Sequence, residues 1–110
     1  MRENAVEAYD VIVSDEAARQ MYECVLFLAM MDFDAGERLQ KRLSAGVASL
    51  AVMPERFPFF NEPYLPHNKY HKMFIEKYYL ILYQIQDRTV FVDYVLDCRR
   101  DYGWLLHEKI

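Results

Sequence analysis

Two adjacent pairs of side chains in the second half of the chain carry groups that could act on a substrate. They are His71 with Lys72, and Arg99 with Arg100. An imidazole can transfer protons, and ammonium and guanidinium groups can hold developing negative charge. Because side chains alternate along a strand, His71 and Lys72 point to opposite faces, and at most one of them lines a given cleft.

Each of these four residues also has a structural explanation. His71 fits a surface or partly buried strand position, and Lys72 fits an edge lysine that blocks unwanted strand pairing. The two arginines lie between aspartates in the run DCRRD. An ion pair therefore explains either arginine as well as catalysis does, and both explanations stay open at this stage.

No other group suggests a metal or a cofactor. His67 and His107 have no partner at metal-ligand spacing, and Cys24 and Cys98 fit no metal-binding pattern. We expect both cysteines to be free thiols. The chain also lacks a glycine-rich phosphate loop. We therefore predict neither a metal site nor a bound cofactor.

The charge balance argues against a dedicated nucleic-acid binder. The formal net charge is −4 and is unevenly spread. Residues 1–66 carry 6 Lys/Arg and 11 Asp/Glu, a net −5, whereas residues 67–102 carry 6 and 5, a net +1. Phosphate contacts dominate affinity for nucleic acids, so such a protein usually shows a strong positive footprint. This sequence does not show one.

Length and hydropathy indicate one domain, spanning residues 1–110. No run approaches the roughly 18 consecutive apolar residues of a membrane span. The charged start, MRENAVEAYD, lacks the apolar core of a signal peptide. We therefore expect a cytoplasmic protein that does not contact a membrane.

The stretch Lys69–Asp101 contains three runs of apolar, β-branched and aromatic residues with short polar breaks. This pattern predicts an antiparallel meander with strands at Lys69–Ile75, Tyr79–Ile85 and Thr89–Leu96. Its tyrosines fit cross-strand packing better than stacking on RNA bases. The amphipathic tail, DYGWLLHEKI, predicts a helical turn or a short helix.

The first half of the chain predicts one strand and two helices. Tyr9–Val13 fits a short strand, and Ser14 is a good N-cap for a helix that runs to about Met31. The second half of this helix contains the uncharged run VLFLAMM, so we expect it to be well buried. Asp32 or Asp34 then caps a second helix. Its apolar stripe comprises Leu39, Leu43, Val47 and Leu50.

All four prolines fall within Met53–Pro66, which predicts an ordered loop rather than a helix or a central strand. Four aromatic side chains fit buried anchors that pin this loop, and a partner-binding surface is the alternative: Phe57, Phe59, Phe60 and Tyr64. The short link between the two helices favours an antiparallel helical hairpin. The order β-α-α-β-β-β therefore predicts an α+β fold in which an antiparallel sheet packs against an N-terminal helical hairpin.

This order, together with particular residues, resembles the RelE/ParE family of toxins from type II toxin–antitoxin modules. The resemblance runs from about Tyr9 to Leu106. YDVIVSDEA matches the opening strand and capped helix, and LAVMPERFP matches the end of the second helix and its proline-marked exit. YYLILYQIQDRTVFVDYVLDCRRD matches the aromatic-rich hairpin and its arginine-containing exit.

In the ribosome-dependent RNases of this family, basic residues surround the scissile phosphate of the mRNA. The resemblance implies that Lys72, or His71 beside it, falls near the second-strand basic position, and that Arg99 or Arg100 matches the exit arginine. The third-strand arginine position holds Leu80, and the C-terminal catalytic tyrosine has no clear match. These departures favour the ParE branch, whose members lack the RNase residues and poison DNA gyrase.

The resemblance also implies a protein partner, a cognate antitoxin whose C-terminal segment wraps the toxin and folds on binding. We expect it to dock at the exposed sheet edge and in the groove beside the helical hairpin. The acidic balance of residues 1–66 leads us to expect basic residues in that segment. Two other functions stay open: a ribosome-dependent mRNA endoribonuclease, and a non-toxic relic that has kept only antitoxin binding.

Overall fold

The structure is a computed structural model that describes residues 8–101. In this range the chain forms four strands, two α-helices and a 3₁₀ turn. In chain order they are β1 (Asp10–Val13), α1 (Asp15–Met31), α2 (Phe33–Ser49), the 3₁₀ turn (Pro54–Arg56), β2 (His71–Ile75), β3 (Tyr79–Gln86) and β4 (Thr89–Asp97). The predicted element order and the α+β class are confirmed. The tail predicted to be helical lies, from residue 102 onward, outside the described residues.

The sheet has the strand order β1-β4-β3-β2. β2, β3 and β4 form the predicted antiparallel meander, but β1 runs parallel to β4, with Val13 opposite Val92. The sheet is therefore mixed rather than antiparallel throughout. Because α2 runs back alongside α1, it returns the chain to the end of the sheet where β1 begins. There the backbone N–H of Tyr9 donates to the carbonyl of Ala51 at 2.7 Å. β4 points in the same direction as β1 because the two strands pair in parallel. β2 does so as well, because β2 and β4 both pair antiparallel with β3.

The helical hairpin covers one face of the sheet and forms the main core. The predicted apolar stripe of α2 is buried in it: Leu39, Leu43, Val47 and Leu50. This stripe packs, with Ala17 and Cys24 of α1, against alternate side chains of the antiparallel strands. The buried side chains on that face of the sheet are Met73, Tyr79, Ile81, Tyr83, Val90, Val92 and Val95.

The proline-rich loop covers the opposite face. Phe60 and Leu65 from this loop pack against a smaller cluster. Its buried members are Tyr70, Leu80, Leu82 and Leu96. Because both faces of β3 are covered, all five residues from Tyr79 to Tyr83 are buried, which explains the continuous apolar run YLILY.

Two side-chain caps set the geometry of the hairpin. At the start of α1, Ser14 Oγ accepts a hydrogen bond from the N–H of Ala17 at 2.9 Å and donates to the carbonyl of Asp93 on β4 at 3.1 Å. At the start of α2, the carboxylate of Asp32 accepts from the N–H of Ala35 at 3.1 Å. Of the two predicted caps for α2, Asp32 is therefore the one used, and this single residue links the helices.

The expectation that the second half of α1 is well buried is wrong. Four of its side chains are between 44% and 77% exposed: Leu26, Phe27, Met30 and Met31. Cys24 already lies beside the residues that follow β4, because its Sγ is 3.9 Å from the guanidinium of Arg100. The helix beyond Cys24 therefore extends past the end of the described sheet. Despite this apolar run, neither described helix combines the length and apolar character needed to cross a membrane.

The two helices approach each other closely where Gly36 meets Ala29. A Cβ atom placed on Gly36 would lie 2.5 Å from the Cβ and 2.7 Å from the Cα of Ala29. Backbone atoms cannot move aside as a flexible side chain can. A Cβ atom on Gly46 would instead lie 2.6 Å from Cδ1 of Ile75, the tip of a side chain that can rotate away.

We expect Gly36→Ala to lower the free energy of unfolding by about 2–3 kcal/mol, the cost typical of overpacking a close contact. This loss runs against helix propensity, which favours alanine over glycine by about 1 kcal/mol. Gly46→Ala is the matched control and should change stability by less than about 1 kcal/mol. Urea denaturation measures both values. A Gly36→Ala protein as stable as the parent would show that the helices do not pack this closely.

Candidate functional site

His71, the first residue of β2, is buried on the helix-facing side of the sheet and is only 6% exposed. Its Nδ1 lies 2.7 Å from the carbonyl oxygen of Phe57, a distance at which an Nδ1–H group donates a hydrogen bond. The imidazole stacks on Tyr83 with ring centroids 5.3 Å apart, and the ring of Phe59 lies 4.2 Å away. These contacts anchor the proline-rich loop and leave the imidazole little access to a substrate.

Lys72 points to the opposite face of β2, as strand alternation requires. Its Nζ lies 5.6 Å from the ring centroid of Phe60, within the range of a cation–π contact. Its backbone N–H donates to the carbonyl of Pro58 at 2.9 Å, so the loop covers this part of the sheet edge. Leu80, which the resemblance places at the family's third-strand arginine position, is buried in the smaller core on that same face.

Arg99 is held by a buried carboxylate. Asp97 ends β4 and is 2% exposed, and its Oδ1 accepts from the backbone N–H of Arg99 at 3.0 Å and from Nε at 3.2 Å. A terminal guanidinium nitrogen of Arg99 donates to the hydroxyl of Tyr79 at 3.1 Å. Hydrogen bonding to Asp97 raises the pKa of the Arg99 side chain. The sequence left open whether an arginine of this run forms a structural ion pair, and Arg99 forms one with Asp97.

Arg100 reaches across to α1. Its guanidinium lies 3.9 Å from Sγ of Cys24, and its Cζ is 5.4 Å from the ring centroid of Phe27. Its Nε is 3.5 Å from the carboxylate of Asp101. The side chains of Arg99 and Arg100 are nevertheless 51% and 36% exposed. Both arginines therefore present N–H donors to solvent at the end of the sheet.

The two basic pairs lie at opposite ends of the sheet. His71 is opposite Tyr83 in the β2–β3 ladder, and Asp97, next to the arginines, is opposite Tyr79 in the β3–β4 ladder. Tyr79 and Tyr83 are four residues apart along β3, which corresponds to about 13 Å at roughly 3.3 Å per residue. The structure therefore does not gather His71, Lys72 and the two arginines around a single phosphate.

Tyr83 holds the turn that follows α2. Its ring is fully buried, and its hydroxyl donates to the carbonyl of Pro54 at 2.6 Å. Burial raises the pKa of the Tyr83 hydroxyl to about 12. An unfolded chain releases this proton near pH 10. The stabilising effect of the protonated hydroxyl is therefore complete below about pH 10 and is lost as the pH rises to about 12.

The thiols offer no catalytic group. Cys24 and Cys98 are both free, as predicted. Burial raises the pKa of the Cys24 thiol to about 11, so it stays protonated at neutral pH and is a poor nucleophile. Among residues 8–101, no group of three or more histidine, cysteine, aspartate or glutamate side chains is placed to hold a metal ion.

A surface of exposed apolar side chains surrounds the turn of the helical hairpin. We call it the apolar tip, and it comprises Tyr22, Leu26, Phe27, Met30, Met31 and Phe33. On α1, Tyr22, Leu26 and Met30 recur at intervals of four residues and form one stripe. Phe27 and Met31 form a second stripe beside it. Single exposed apolar residues are ordinary, but a large contiguous apolar patch marks an interaction site. The sequence signal for this surface was that VLFLAMM is apolar around the whole helix, beyond what one buried face needs.

A cleft of about 340 Å³ opens beside the apolar tip. One wall consists of α1 side chains, namely Phe27, Leu28 and Met31. The other wall comes from the sheet and its exit, namely Tyr79, Asp97, Arg99 and Arg100. We call this the arginine cleft. It places an apolar wall directly opposite two cations, an arrangement suited to binding an amphipathic partner.

The described residues form a small α+β domain with exposed apolar side chains at one end. Residues 11–102 match the family model described as the ParE toxin of the type II toxin–antitoxin system, parDE. The chain therefore belongs to the ParE toxin family. The resemblance to RelE/ParE toxins inferred from the sequence is confirmed, and the matched branch is the one that was favoured.

One solved structure similar to this chain is titled "Chromosomal ParDE TA system from P. aeruginosa". The two chains superpose with a TM-score of 0.66 over 80% of this chain and 94% of that one, at 7% sequence identity. At so low an identity the match shows a shared fold. No curated protein sequence matches the chain.

We expect Tyr83→Phe to lower the free energy of unfolding by about 1–2 kcal/mol at pH 7, because the buried carbonyl of Pro54 loses its donor. The substitution should also reduce the loss of stability between about pH 10 and pH 12. Tyr22→Phe is the control, because Tyr22 is exposed. Urea titrations at about pH 7 and pH 11 test both effects. The same pH dependence in all three proteins would contradict the role given to Tyr83.

Proposed function

We propose that this ParE-family protein is a toxin that stops bacterial growth by binding DNA gyrase, and that a cognate antitoxin neutralises it. The single observation that carries this proposal is the apolar tip, six large side chains left exposed at one end of the domain. Large apolar and aromatic anchors supply much of the energy in protein–protein recognition. A toxin that acts by binding needs such a surface, whereas a nuclease needs converging catalytic groups.

The apolar tip also suits an antitoxin. The similar solved chain comes from a toxin–antitoxin system, which supports a partner of that kind for this chain. Exposed side chains at four-residue intervals form ridges into which an amphipathic helix or extended segment can pack. Fully burying one large apolar side chain stabilises a complex by about 1.5–3 kcal/mol. Several such side chains are enough to support a tight complex after the cost of association is met.

The placement of the basic residues favours gyrase over mRNA as the target. General acid–base cleavage requires groups that reach one phosphate. Here His71 is buried against the loop, and Arg99 lies at the other end of the sheet. Leu80 supplies core packing where the RNase branch has a cation. Two alternatives to gyrase inhibition stay open, an mRNA endoribonuclease and a non-toxic relic. The first experiment must distinguish gyrase inhibition from both.

The first experiment is induced expression in a bacterium, following plasmid supercoiling, the SOS response and protein synthesis in one culture. We expect the SOS response to rise and supercoiling to change while translation continues. Purified toxin should likewise inhibit supercoiling by purified gyrase. The expected mechanism involves no cleavage of RNA, so mRNA should stay intact in cells that express either the parent protein or Arg99→Ala.

Two results would contradict the gyrase proposal. Rapid loss of translation with cut mRNA, abolished by Arg99→Ala, would identify an endoribonuclease. Unaffected growth, with circular dichroism showing a folded protein, would leave a binding module that has lost its toxicity. Antitoxin binding is a separate claim and is tested on its own.

We expect Met30→Glu and Met31→Glu each to weaken antitoxin binding about tenfold to a hundredfold, because each places a charge where an apolar side chain should be buried. Both residues are more than 70% exposed, so the fold should survive. Met53→Glu is the control, an exposed methionine that follows the far end of α2. Calorimetry with the cognate antitoxin, which we expect a short gene adjacent to this one to encode, gives the affinities. Equal affinities for all three variants would place the docking surface elsewhere.

A further inference from the structure

A second cleft, of about 550 Å³, opens on the face of the sheet that the proline-rich loop covers. Two tyrosines that belong to or pack on the smaller core, Tyr70 and Tyr94, form part of its wall. We call it the tyrosine cleft. The polar side chains that complete it are Ser14, Glu16, Lys69, Gln84 and Asp93. None of these residues belongs to the apolar tip or lines the arginine cleft, so the tyrosine cleft is a separate feature of the domain.

The tyrosine cleft forms where β4 contains a β-bulge. The pairing of β4 with β3 includes Val92 and Tyr94 but skips Asp93, which is an extra residue without a partner on β3. Val92 and Val95 both lie in the main core. Strict alternation would turn Asp93 and Tyr94 to opposite faces of the sheet, but both line the cleft. The bulge therefore aims a carboxylate into the cleft, as bulges beside binding sites do.

Asp93 gives the tyrosine cleft a negative charge that no salt bridge neutralises. Its Oδ2 accepts a hydrogen bond from Nε2 of Gln84 at 2.7 Å, and a neutral amide does not cancel the charge of a carboxylate. Within residues 8–101, no lysine, arginine or histidine forms a salt bridge with Asp93. Glu16 differs, because a guanidinium nitrogen of Arg19 lies 2.6 Å from its carboxylate. Asp93 is therefore the group that attracts a cation entering the cleft.

The two tyrosines supply uncharged aromatic rings beside this carboxylate. Their ring centroids are 6.2 Å apart, with an interplanar angle of 57°. Burial, and after it the charge of Asp93, raises the pKa of the Tyr70 hydroxyl to about 12, and the same two causes raise the pKa of Tyr94. Both hydroxyls therefore stay protonated at neutral pH. The electron-rich face of such a ring attracts a cation.

The chain already places one cation at this cleft. Nζ of Lys69 lies 5.3 Å from the ring centroid of Tyr70, within the range of a cation–π contact. Lys69 is exposed, and within the described part of the chain it forms no salt bridge. Its ammonium group can therefore leave the ring without breaking an ion pair. A ligand cation that also pairs with Asp93 gains a contact that Lys69 does not make.

We propose that the tyrosine cleft binds a guanidinium group, carried by an arginine side chain of a protein partner. The guanidinium donates to the Asp93 carboxylate, which has about four lone-pair sites and uses one for Gln84. Its flat face packs on the ring of Tyr94. Arginine suits this site because a planar guanidinium can stack on a ring and donate to a carboxylate at once. The site goes beyond the proposed function, which requires only the apolar tip.

The charge of the tyrosine cleft argues against a nucleic acid as its ligand. A phosphate backbone binds where cations are concentrated, whereas this cleft contains a carboxylate without a salt bridge. A free polyamine shares the positive charge of arginine. Its ammonium groups, however, have no planar face to stack on a ring and cannot form two parallel hydrogen bonds with one carboxylate.

The first test is a titration of the full chain with N-acetyl-arginine amide, followed through the NMR shifts of the backbone amides. We expect saturable shifts concentrated at Gln84, Asp93 and Tyr94, and an affinity that falls as salt is added. N-acetyl-citrulline amide has nearly the same shape without the charge, and should bind at least about tenfold more weakly. Equal binding of the citrulline compound, or shifts confined to other residues, would overturn the proposal.

Asp93→Asn should weaken binding of the arginine amide at least about tenfold, because the charge is lost while an oxygen remains to accept from Gln84. Asp87→Asn is the matched control, with the same change in net charge. Asp87 is an exposed turn residue whose φ of 55° asparagine tolerates. Thermal melts establish that each variant is folded. An unchanged affinity for Asp93→Asn, or an equal loss in Asp87→Asn, would show that Asp93 does not hold the ligand.

Variants of the neighbouring side chains test the site independently of Asp93. Lys69→Gln removes the cation that competes for the Tyr70 ring, so binding should strengthen about twofold to fivefold. Tyr94→Leu should weaken binding by about the same factor, whereas Tyr94→Phe keeps the ring and should bind like the parent protein. Unchanged affinities for Lys69→Gln and Tyr94→Leu would contradict a cation held against these rings.

Competition experiments identify the source of the cation. A short peptide that contains one arginine should displace the arginine amide at lower concentration than spermidine does. Tighter binding of spermidine would make the cleft a polyamine site, and displacement by an RNA oligonucleotide would make it a nucleic-acid site. Either result overturns the proposed occupant. Gyrase inhibition and antitoxin binding are measured in other experiments, so their failure leaves this test unaffected.

Discussion

Asp32 turns the chain from α1 into α2 within one residue, and the rest of the structure depends on that turn. Its backbone N–H donates to the carbonyl of Leu28 at the end of α1, at 2.9 Å, while its carboxylate caps α2. Gly36, one turn into α2, then meets Ala29 with no room for a Cβ atom. So tight a link leaves the two helices antiparallel and in close contact. The last turns of α1 lie beyond the sheet, so the apolar tip is not covered by residues 8–101.

β4 connects this hairpin to the sheet. β1 pairs with β4 only as far as Val92, so the amides that follow on that edge need other acceptors. The buried side chain of Gln20 on α1 supplies one, accepting from the N–H of Val95 at 2.7 Å. Ser14 makes a similar contact with the carbonyl of Asp93. These side-chain bonds hold α1 along β4 and so bring the residues after β4 against the last turns of the helix.

This placement explains why one end of the domain combines apolar and cationic groups. The apolar tip follows from the length of α1, and the arginines follow from the exit of β4. Asp97 is buried between them, and its carboxylate fixes Arg99 rather than a substrate. Away from this end, His71 holds the proline-rich loop against the sheet. Its imidazole is within hydrogen-bonding distance of the carbonyl of Phe57 and stacks on Tyr83. The polar groups that seemed suited to catalysis thus stabilise the two ends of the fold. The groups that remain exposed beside Asp97 are an apolar surface and the outward faces of two guanidinium groups.

Much of the fold could be predicted from the sequence, because it depends on interactions between near neighbours in the chain. Ser14 and Asp32 cap the helices that follow them, and Leu39, Leu43 and Val47 share a face because of helical spacing alone. The alternation of the strands and the position of the prolines likewise placed the meander and its covering loop. The order of elements, with the motifs within it, was enough to indicate the toxin family.

Other properties were decided by tertiary structure, because they depend on what lies opposite a residue in space. The sequence shows that VLFLAMM is apolar. The exposure of Phe27 and Met31 follows instead from where the sheet ends, at Asp97. Strand pairing, not composition, separated His71 from Arg99 and made β1 parallel to β4. Net charge over 66 residues suggested a basic partner, yet the residues that meet across the arginine cleft come from distant parts of the chain. Sequence by itself determined the type and order of the elements, the apolar stripe of α2 and the candidate caps. The distances between elements, and with them the chemistry of the surface, followed only from how those elements pack.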